Sequence, residues 1–197
     1  MDVSRMMLFA VGAISLVNLV LVLRVVARMR AMDVSKQDHP FGGDPLPVGA
    51  EAPPFNALTL AGQGITDARL AGRAVAYLFM SPTCDHCRDV LPMVDELGAL
   101  AARAARVQVV VVADAGPARV RSWLEQVAEE DGVKVSMPVL AAPPSRTTMI
   151  VDYNPTSILP YFCLVDETGL IADRGTAGGA EWNRLVETWR SADAVQV

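Results

Sequence analysis

Two cysteines that lie three residues apart are the strongest candidates for chemistry in this chain. The segment Cys84-Asp85-His86-Cys87 stands three residues after the apolar run 75–80, which is typical of a buried strand. A strand that ends in a short turn places the first cysteine at the start of the next helix, where unpaired N–H groups and the helix dipole stabilise a thiolate. Residues three apart on a helix have Cβ atoms roughly 5–6 Å apart, so a disulfide between them can open and close without backbone movement. The pattern predicts a redox centre.

The two cysteines are expected to have different roles. Cys84 should be the attacking thiol, with a pKa below the free value of about 8.5. Cys87 should be more buried and should resolve the mixed disulfide formed with a substrate. His86 can stabilise the Cys84 thiolate, whereas the charge of Asp85 acts against it. These effects oppose each other, so oxidation, reduction and isomerisation all stay open as directions of the reaction.

Other uses of the same residues are less consistent with the pattern. A structural disulfide without turnover is one alternative. A zinc site needs four ligands, and beyond Cys84, Cys87 and His86 the chain offers only distant candidates such as His39 or Cys163. We therefore expect no metal and no cofactor other than the Cys84–Cys87 disulfide itself. Cys163 alternates with apolar neighbours, which indicates a small buried core residue.

Length and composition indicate one domain with an additional segment. The chain has 197 residues, of which 52% are hydrophobic, and a net charge of −5. This length is enough to bury a sizeable core. Nothing in the sequence resembles the basic face of a nucleic-acid-binding protein, so we expect no nucleic-acid partner.

The amino terminus has the pattern of a membrane anchor. No charged side chain occurs between Met6 and Leu23, and Arg24 can extend toward the interface. A cleaved signal peptide has a shorter apolar core. We therefore predict a transmembrane helix within 1–30 and a polar, Gly- and Pro-rich linker over 31–47. The arginines that follow the helix would place the domain in the cytoplasm by the positive-inside rule.

The remaining sequence alternates between strand and helix patterns. We expect a domain over 48–191 and a tail over 192–197. The expected elements are a hairpin over 55–66, strands at 75–80, 107–113 and 133–140, helices at 85–105, 117–131, 145–153 and 181–190, and a closing hairpin over 161–174. Such an order predicts an α/β fold with a mixed central sheet and helices on both faces.

These features together resemble the thioredoxin-like redoxin superfamily. The opening 47–55 is similar to the Gly-x-x-Ala-Pro-x-Phe start of redoxin domains, and Pro92 matches the proline inside their active-site helix. The peroxiredoxin pattern Pro-x-x-x-Thr/Ser-x-x-Cys does not fit, because Tyr77 stands at its first position. The resemblance implies a thioredoxin-like fold and thiol–disulfide exchange at Cys84 and Cys87.

Within this superfamily the Ser-Pro-Thr-Cys-x-x-Cys segment behind an anchor is closest to the MauD family of methylamine utilization proteins. That resemblance implies an inner-membrane protein with its redox domain outside the cytoplasm. The arginines that follow the predicted helix indicate the opposite orientation. The implied partners are a protein substrate that contains cysteines and a membrane or thioredoxin-like electron-transfer partner. The MauD pattern usually has proline where this chain has Asp85. The alternatives are a TlpA-like reductase for cytochrome maturation and a non-catalytic, membrane-tethered assembly factor.

A second landmark of the superfamily lies downstream. Leu159-Pro160 stands just before a predicted strand, where thioredoxin-like proteins carry a cis-proline whose preceding residue pairs with the substrate chain. Proline is the residue for which a cis bond costs little. The resemblance therefore implies a cis Leu159–Pro160 bond facing the cysteines. Asp114 and Trp123 are expected to be turn and core residues.

Overall fold

The computed structural model describes residues 43–196 and the isolated Ser15. The chain divides into two compact units, Met1–Gly42 and Gly43–Val197, and the fold below belongs to the second. The predicted anchor at 1–30 and the linker residues 31–42 lie outside the described residues. Among the residues that are described, no helix is both long enough and apolar enough to cross a membrane.

A mixed seven-stranded sheet forms the centre of the domain. Its strands follow the order β2-β1-β5-β4-β3-β6-β7. Strands β3, β4 and β5 are parallel to one another, and the other pairings are antiparallel. The strands are β1 (Asn56–Thr59), β2 (Gly64–Thr66), β3 (Ala74–Met80), β4 (Val107–Ala113), β5 (Val139–Ala141), β6 (Tyr161–Val165) and β7 (Ile171–Thr176). The helices are α1 (Asp85–Ala105), α2 (Pro117–Asp131), α3 (Met149–Tyr153) and α4 (Ala180–Gln196), with a short 3₁₀ turn at Asp67–Arg69.

Two apolar layers cover the central strands. Every residue of β3 is buried, and alternate side chains along a strand point to opposite faces. Ala76 and Leu78 belong to a cluster with residues of α1, α2 and α4. Tyr77 and Phe79 belong to a second cluster with α3 and Phe55. The prediction of helices on both faces is confirmed, and among residues 43–196 the only α-helix on the second face is the five-residue α3.

The segment before β1 covers the β7 side of the sheet. The Gly49 N–H donates to the Ile171 carbonyl at 2.8 Å, and the Arg174 side chain donates to the Leu46 carbonyl. The Gly43 N–H donates to the Pro155 carbonyl at 3.0 Å. These contacts cover the start of the β7 edge, and covering an exposed edge hinders its pairing with other chains. Residues 43–47, which the sequence assigned to a linker, therefore include positions that contact the domain.

One predicted strand is much shorter than expected. The pattern predicted a strand over 133–140, but only Val139–Ala141 pairs with β4. The preceding residues run along α1 instead, where the Ser136 N–H and hydroxyl both donate to the Asp95 carboxylate, at 2.6 and 2.8 Å. The Met137 side chain packs on Gly98, where a side chain on residue 98 would collide with it. These contacts with α1 outweigh the strand preference of Val133 and Val135.

Two helix boundaries also differ from the sequence pattern. The short helix begins at Met149 rather than at Ser145, because the Thr147 hydroxyl donates to the Asn56 carbonyl and so fixes the preceding residues in a loop. The last helix continues to Gln196, so residues 192–196, which the sequence assigned to a tail, are helical. The predicted helices 85–105 and 117–131 are confirmed, including Pro92 inside the first.

Candidate redox site

The first cysteine occupies the start of α1. Cys84 has extended backbone angles of φ −102° and ψ 106°, and it caps the helix. Its Sγ accepts a hydrogen bond from the Cys87 N–H at 3.1 Å. A sulfur held against unpaired N–H groups at a helix start is stabilised as a thiolate. The position predicted from the strand–turn–helix pattern is therefore the one observed.

The two sulfurs are bonded to each other and differ in exposure. Cys84 and Cys87 form a disulfide with their Cα atoms 5.2 Å apart. Cys84 is partly exposed, whereas Cys87 is 0% exposed and packs in the core beneath α1. A partner thiol can therefore reach only the Cys84 side of the bond. This asymmetry fits an attacking Cys84 and a resolving Cys87.

The predicted cis-proline lies at the same end of the central strands as Cys84. The Leu159–Pro160 peptide bond is cis. Pairing between β3 and β6 ends at Phe79 and Tyr161, so Pro160 lies level with the end of β3, from which the chain continues to Cys84. The Pro160 carbonyl accepts from the Ala177 N–H at 3.0 Å. The topology thus brings together two segments that are far apart in sequence.

The loop before the cis-proline is braced from within. Asn154 is 1% exposed, and its side-chain amide donates to the Ile158 carbonyl at 2.8 Å. The Thr156 hydroxyl donates to the Asn154 side-chain oxygen at 2.7 Å. Ile158 remains 49% exposed, and Leu159 is partly buried. Ile158 therefore projects from a loop that internal hydrogen bonds hold in place next to the cis-proline.

The other residues proposed from the sequence lie at the surface or in the core. Asp85 and His86 are exposed. Within the described chain neither forms a hydrogen bond or an ion pair through its side chain. Cys163 is 0% exposed on β6, as expected of a core residue, and burial raises the pKa of its thiol to about 12. It therefore stays protonated and unreactive over the physiological range.

An ion-pair cluster next to the cysteines was not anticipated from the sequence. Arg88 Nε lies 2.6 Å from an Asp131 oxygen, and its Nη2 lies 2.6 Å from a Glu130 oxygen. The hydrogen bonds from Arg88 lower the pKa of both carboxyls. This bidentate contact ties the first turn of α1 to the end of α2. No local signal marks it, because the partners are more than 40 residues apart.

The turn that leads into Cys84 holds a second polar group that the sequence did not reveal. The Ser81 hydroxyl lies 2.9 Å from the Thr83 hydroxyl and 3.3 Å from the Thr83 nitrogen. Asp114, expected to be a turn residue, stands beside Ser81 at the end of β4. Burial raises the pKa of the Asp114 carboxyl, while the Ser81 hydroxyl and the Arg119 guanidinium oppose that rise.

A groove lies at the opposite end of the parallel strands. It has a volume of about 750 Å³ and is lined by the start of β3, the start of β4 and the middle of α1. It does not include either cysteine of the pair. Across residues 43–196, no group of three or more His, Cys, Asp or Glu side chains is placed to hold a metal ion.

Comparison with known proteins identifies the fold. No protein-family model matches the chain, and no curated protein sequence matches it. Solved structures do match. A candidate thiol:disulfide interchange protein DsbE from Chlorobium tepidum aligns over 75% of this chain and 98% of its own, with a TM-score of 0.59 and 22% identity.

Two further structures show how widely the fold is shared. The thioredoxin domain of a thiol-disulfide oxidoreductase from Bacteroides vulgatus aligns over 73% of this chain and 98% of its own, with a TM-score of 0.57 and 19% identity. A peroxiredoxin-like protein from Aquifex aeolicus aligns over 76% and 90%, with a TM-score of 0.55 and 16% identity. The chain therefore has a thioredoxin-like fold. Because fold alone does not fix function, the activity has to be argued from the site.

Proposed function

We propose that this protein is a thiol–disulfide oxidoreductase that acts on cysteines of partner proteins. One observation carries the proposal: a disulfide joins a partly exposed Cys84 at a helix start to a fully buried Cys87. A disulfide that only braced the fold would not need one sulfur at a helix N-terminus within reach of solvent. The neighbouring structures described as thiol:disulfide proteins support the same class.

The exchange proceeds in two displacements. In the oxidising direction a substrate thiolate attacks Cys84 Sγ, and the Cys84–Cys87 bond breaks to release the Cys87 thiolate. A second substrate thiolate then attacks the substrate sulfur of the mixed disulfide and releases the Cys84 thiolate. Two electrons pass from the substrate to the cysteine pair. The reducing direction runs through the same steps in reverse, with Cys87 resolving the mixed disulfide.

The finer proposal is a MauD-like role at a membrane. It rests on the Ser-Pro-Thr-Cys-x-x-Cys segment and on the uncharged stretch from Met6 to Leu23. In this proposal residues 1–30 anchor the protein in the inner membrane. The redox domain lies outside the cytoplasm and forms or maintains disulfides in a maturing enzyme. A TlpA-like reductase for cytochrome maturation is the second candidate, because Asp85 and His86 leave the direction of electron flow open.

Capture of the partner tests the proposed activity. In Cys87→Ser the mixed disulfide at Cys84 has no resolving thiol, so we expect it to accumulate as higher-mass species that vanish on reduction. The matched control is the double variant Cys84→Ser/Cys87→Ser, which should capture nothing. Non-reducing electrophoresis followed by mass spectrometry identifies the captured cysteine. Equal capture by both variants would contradict the proposal, as would no capture by either.

A fusion to a reporter enzyme tests on which side of the membrane the redox domain lies. Alkaline phosphatase joined after residue 45 is active only when it is exported, so we expect activity if the redox domain is extracytoplasmic. β-Galactosidase fused at the same point serves as the reciprocal control. An active β-galactosidase fusion with an inactive phosphatase fusion would place the domain in the cytoplasm, as the arginine flank suggests.

A further inference from the structure

Two arginines border the groove at the end of the parallel strands that lies away from Cys84. Arg73 directly precedes β3 and Arg106 directly precedes β4. The first residues of these strands, Ala74 and Val107, lie opposite each other. Adjacent strands lie about 4.8 Å apart, so the two arginines start from neighbouring backbone positions. Both line the groove of about 750 Å³, and the fold therefore places two positive charges side by side in it.

In the described part of the chain, neither arginine is paired with a carboxylate. Across residues 43–196 their guanidinium groups form no ion pair and no side-chain hydrogen bond. Arg88, by contrast, contacts Glu130 and Asp131 at 2.6 Å each. Two adjacent like charges repel each other. An anion bound between the two groove arginines would remove that repulsion.

The backbone gives Arg106 a fixed point of attachment beside the groove. It is the single residue between α1, which ends at Ala105, and β4, which begins at Val107. Its N–H donates to the Ala101 carbonyl. Its backbone angles, φ 55° and ψ 27°, lie in the left-handed region, where glycine is usual at the end of a helix. Glycine can therefore replace Arg106 without backbone strain.

The remainder of the groove suits an apolar group. The α1 residues that line it between Asp95 and Arg106 have small side chains: Gly98, Ala99 and Ala102. Met137 lines it as well. Asp95 lies about 16 Å along the helix from Arg106, and its carboxylate already accepts the Ser136 N–H and hydroxyl. The anionic end of a ligand is therefore directed to the arginines and its apolar part to the small side chains.

We propose that this groove binds a small phosphate monoester whose organic group is apolar. A phosphate monoester carries close to two negative charges at neutral pH and presents three oxygens, which matches two guanidinium groups that each donate as a fork. A carboxylate carries one charge and needs only one such fork. The volume of the groove is within the range of small-molecule sites. Since neither Cys84 nor Cys87 lines the groove, this inference goes beyond the proposed function and does not depend on it.

One exposed carboxyl works against such a ligand. Glu167, in the turn between β6 and β7, also lines the groove. In the part of the chain that the structure describes, it forms no ion pair with Arg73 or Arg106. Its charge repels a phosphate group, so Glu167→Gln should tighten binding, whereas loss of either arginine should weaken it.

Calorimetric titration of the full chain with naphthyl phosphate, in a non-ionic detergent, tests the site. We expect saturable binding of one probe per chain against a detergent blank. Arg73→Gln and Arg106→Gly should each weaken binding on the order of tenfold, because each removes hydrogen bonds to a charged group. Arg106→Gly should also keep or raise the Tm, since glycine suits the left-handed backbone, and this excludes unfolding as the cause. Arg190→Gln, on an exposed part of α4, is the matched control and should bind like the parent chain.

Analogues of the probe separate its two parts. Naphthoate has the same ring with a single charge and should bind more weakly, and inorganic phosphate should also bind more weakly because it lacks the ring. Ala99→Leu fills part of the groove and should weaken binding of naphthyl phosphate while leaving that of inorganic phosphate unchanged. Equal affinity for naphthyl phosphate and naphthoate would overturn the inference, as would unchanged binding in Arg73→Gln and Arg106→Gly. Absence of saturable binding, or inorganic phosphate binding as tightly as the ester, would overturn it as well.

Discussion

Replacing Cys84 by serine should reduce disulfide exchange to the uncatalysed background. Cys84 is the only sulfur of the pair that a substrate can reach, because Cys87 is 0% exposed. A hydroxyl at the helix start cannot form the mixed disulfide on which the whole exchange depends. We expect complete loss in a turnover assay that couples a small disulfide substrate to a dithiol.

A cysteine elsewhere in the domain gives the matched control. Cys163→Ser removes a thiol of the same size from a buried strand position. It should keep full turnover, with some loss of stability because the hydroxyl is buried in an apolar cluster. Activity retained by Cys84→Ser, or lost equally in both variants, would refute the assignment of Cys84 as the attacking thiol.

Replacing Phe162 by alanine should give one of the largest losses of stability in the domain. Phe162 is 0% exposed on β6, two residues after the cis-proline. Its ring packs edge-to-face on Trp182 with centroids 5.3 Å apart. Removing a buried aromatic ring costs about 3–5 kcal/mol of unfolding free energy. For a domain of this size such a loss lowers the Tm by roughly 10 °C.

Tryptophan fluorescence is a suitable probe, since all three tryptophans lie in the folded domain. Leu164→Ala lies on the same strand at a half-buried position and should cost only about 1 kcal/mol. Because Trp182 is in the first turn of α4, the Phe162 variant should also loosen the packing of α4 behind the site. Equal urea midpoints for the two variants would contradict this account of the core.

The sequence predicted what depends on short-range patterns. The apolar run before Cys84, its position at a helix start and the burial of Cys87 all follow from residues within one strand and one helical turn. The cis bond before Pro160 was expected because the Leu159-Pro160 segment resembles the corresponding segment of thioredoxin-like proteins. These features are local, and all of them are present in the structure.

Long-range contacts explain what the sequence did not show. The strand expected over 133–140 gave way to contacts of Ser136 and Met137 with α1. The bond between Arg88 and the end of α2 joins residues more than 40 positions apart. Asp114 could be recognised as a neighbour of Ser81 only once the register of β3 and β4 was known. Such partners depend on which elements become adjacent, and no local pattern encodes that adjacency.

The most direct test of the central claim is a redox equilibrium of the full chain in glutathione buffers. The Cys84–Cys87 pair should interconvert reversibly in a single two-electron transition, with a potential between roughly −120 and −270 mV. A value near −120 mV indicates an oxidant, and one well below about −230 mV indicates a reductant. A pair that stays oxidised at every buffer ratio, with no mixed disulfide at Cys84, would show a purely structural disulfide and contradict the account.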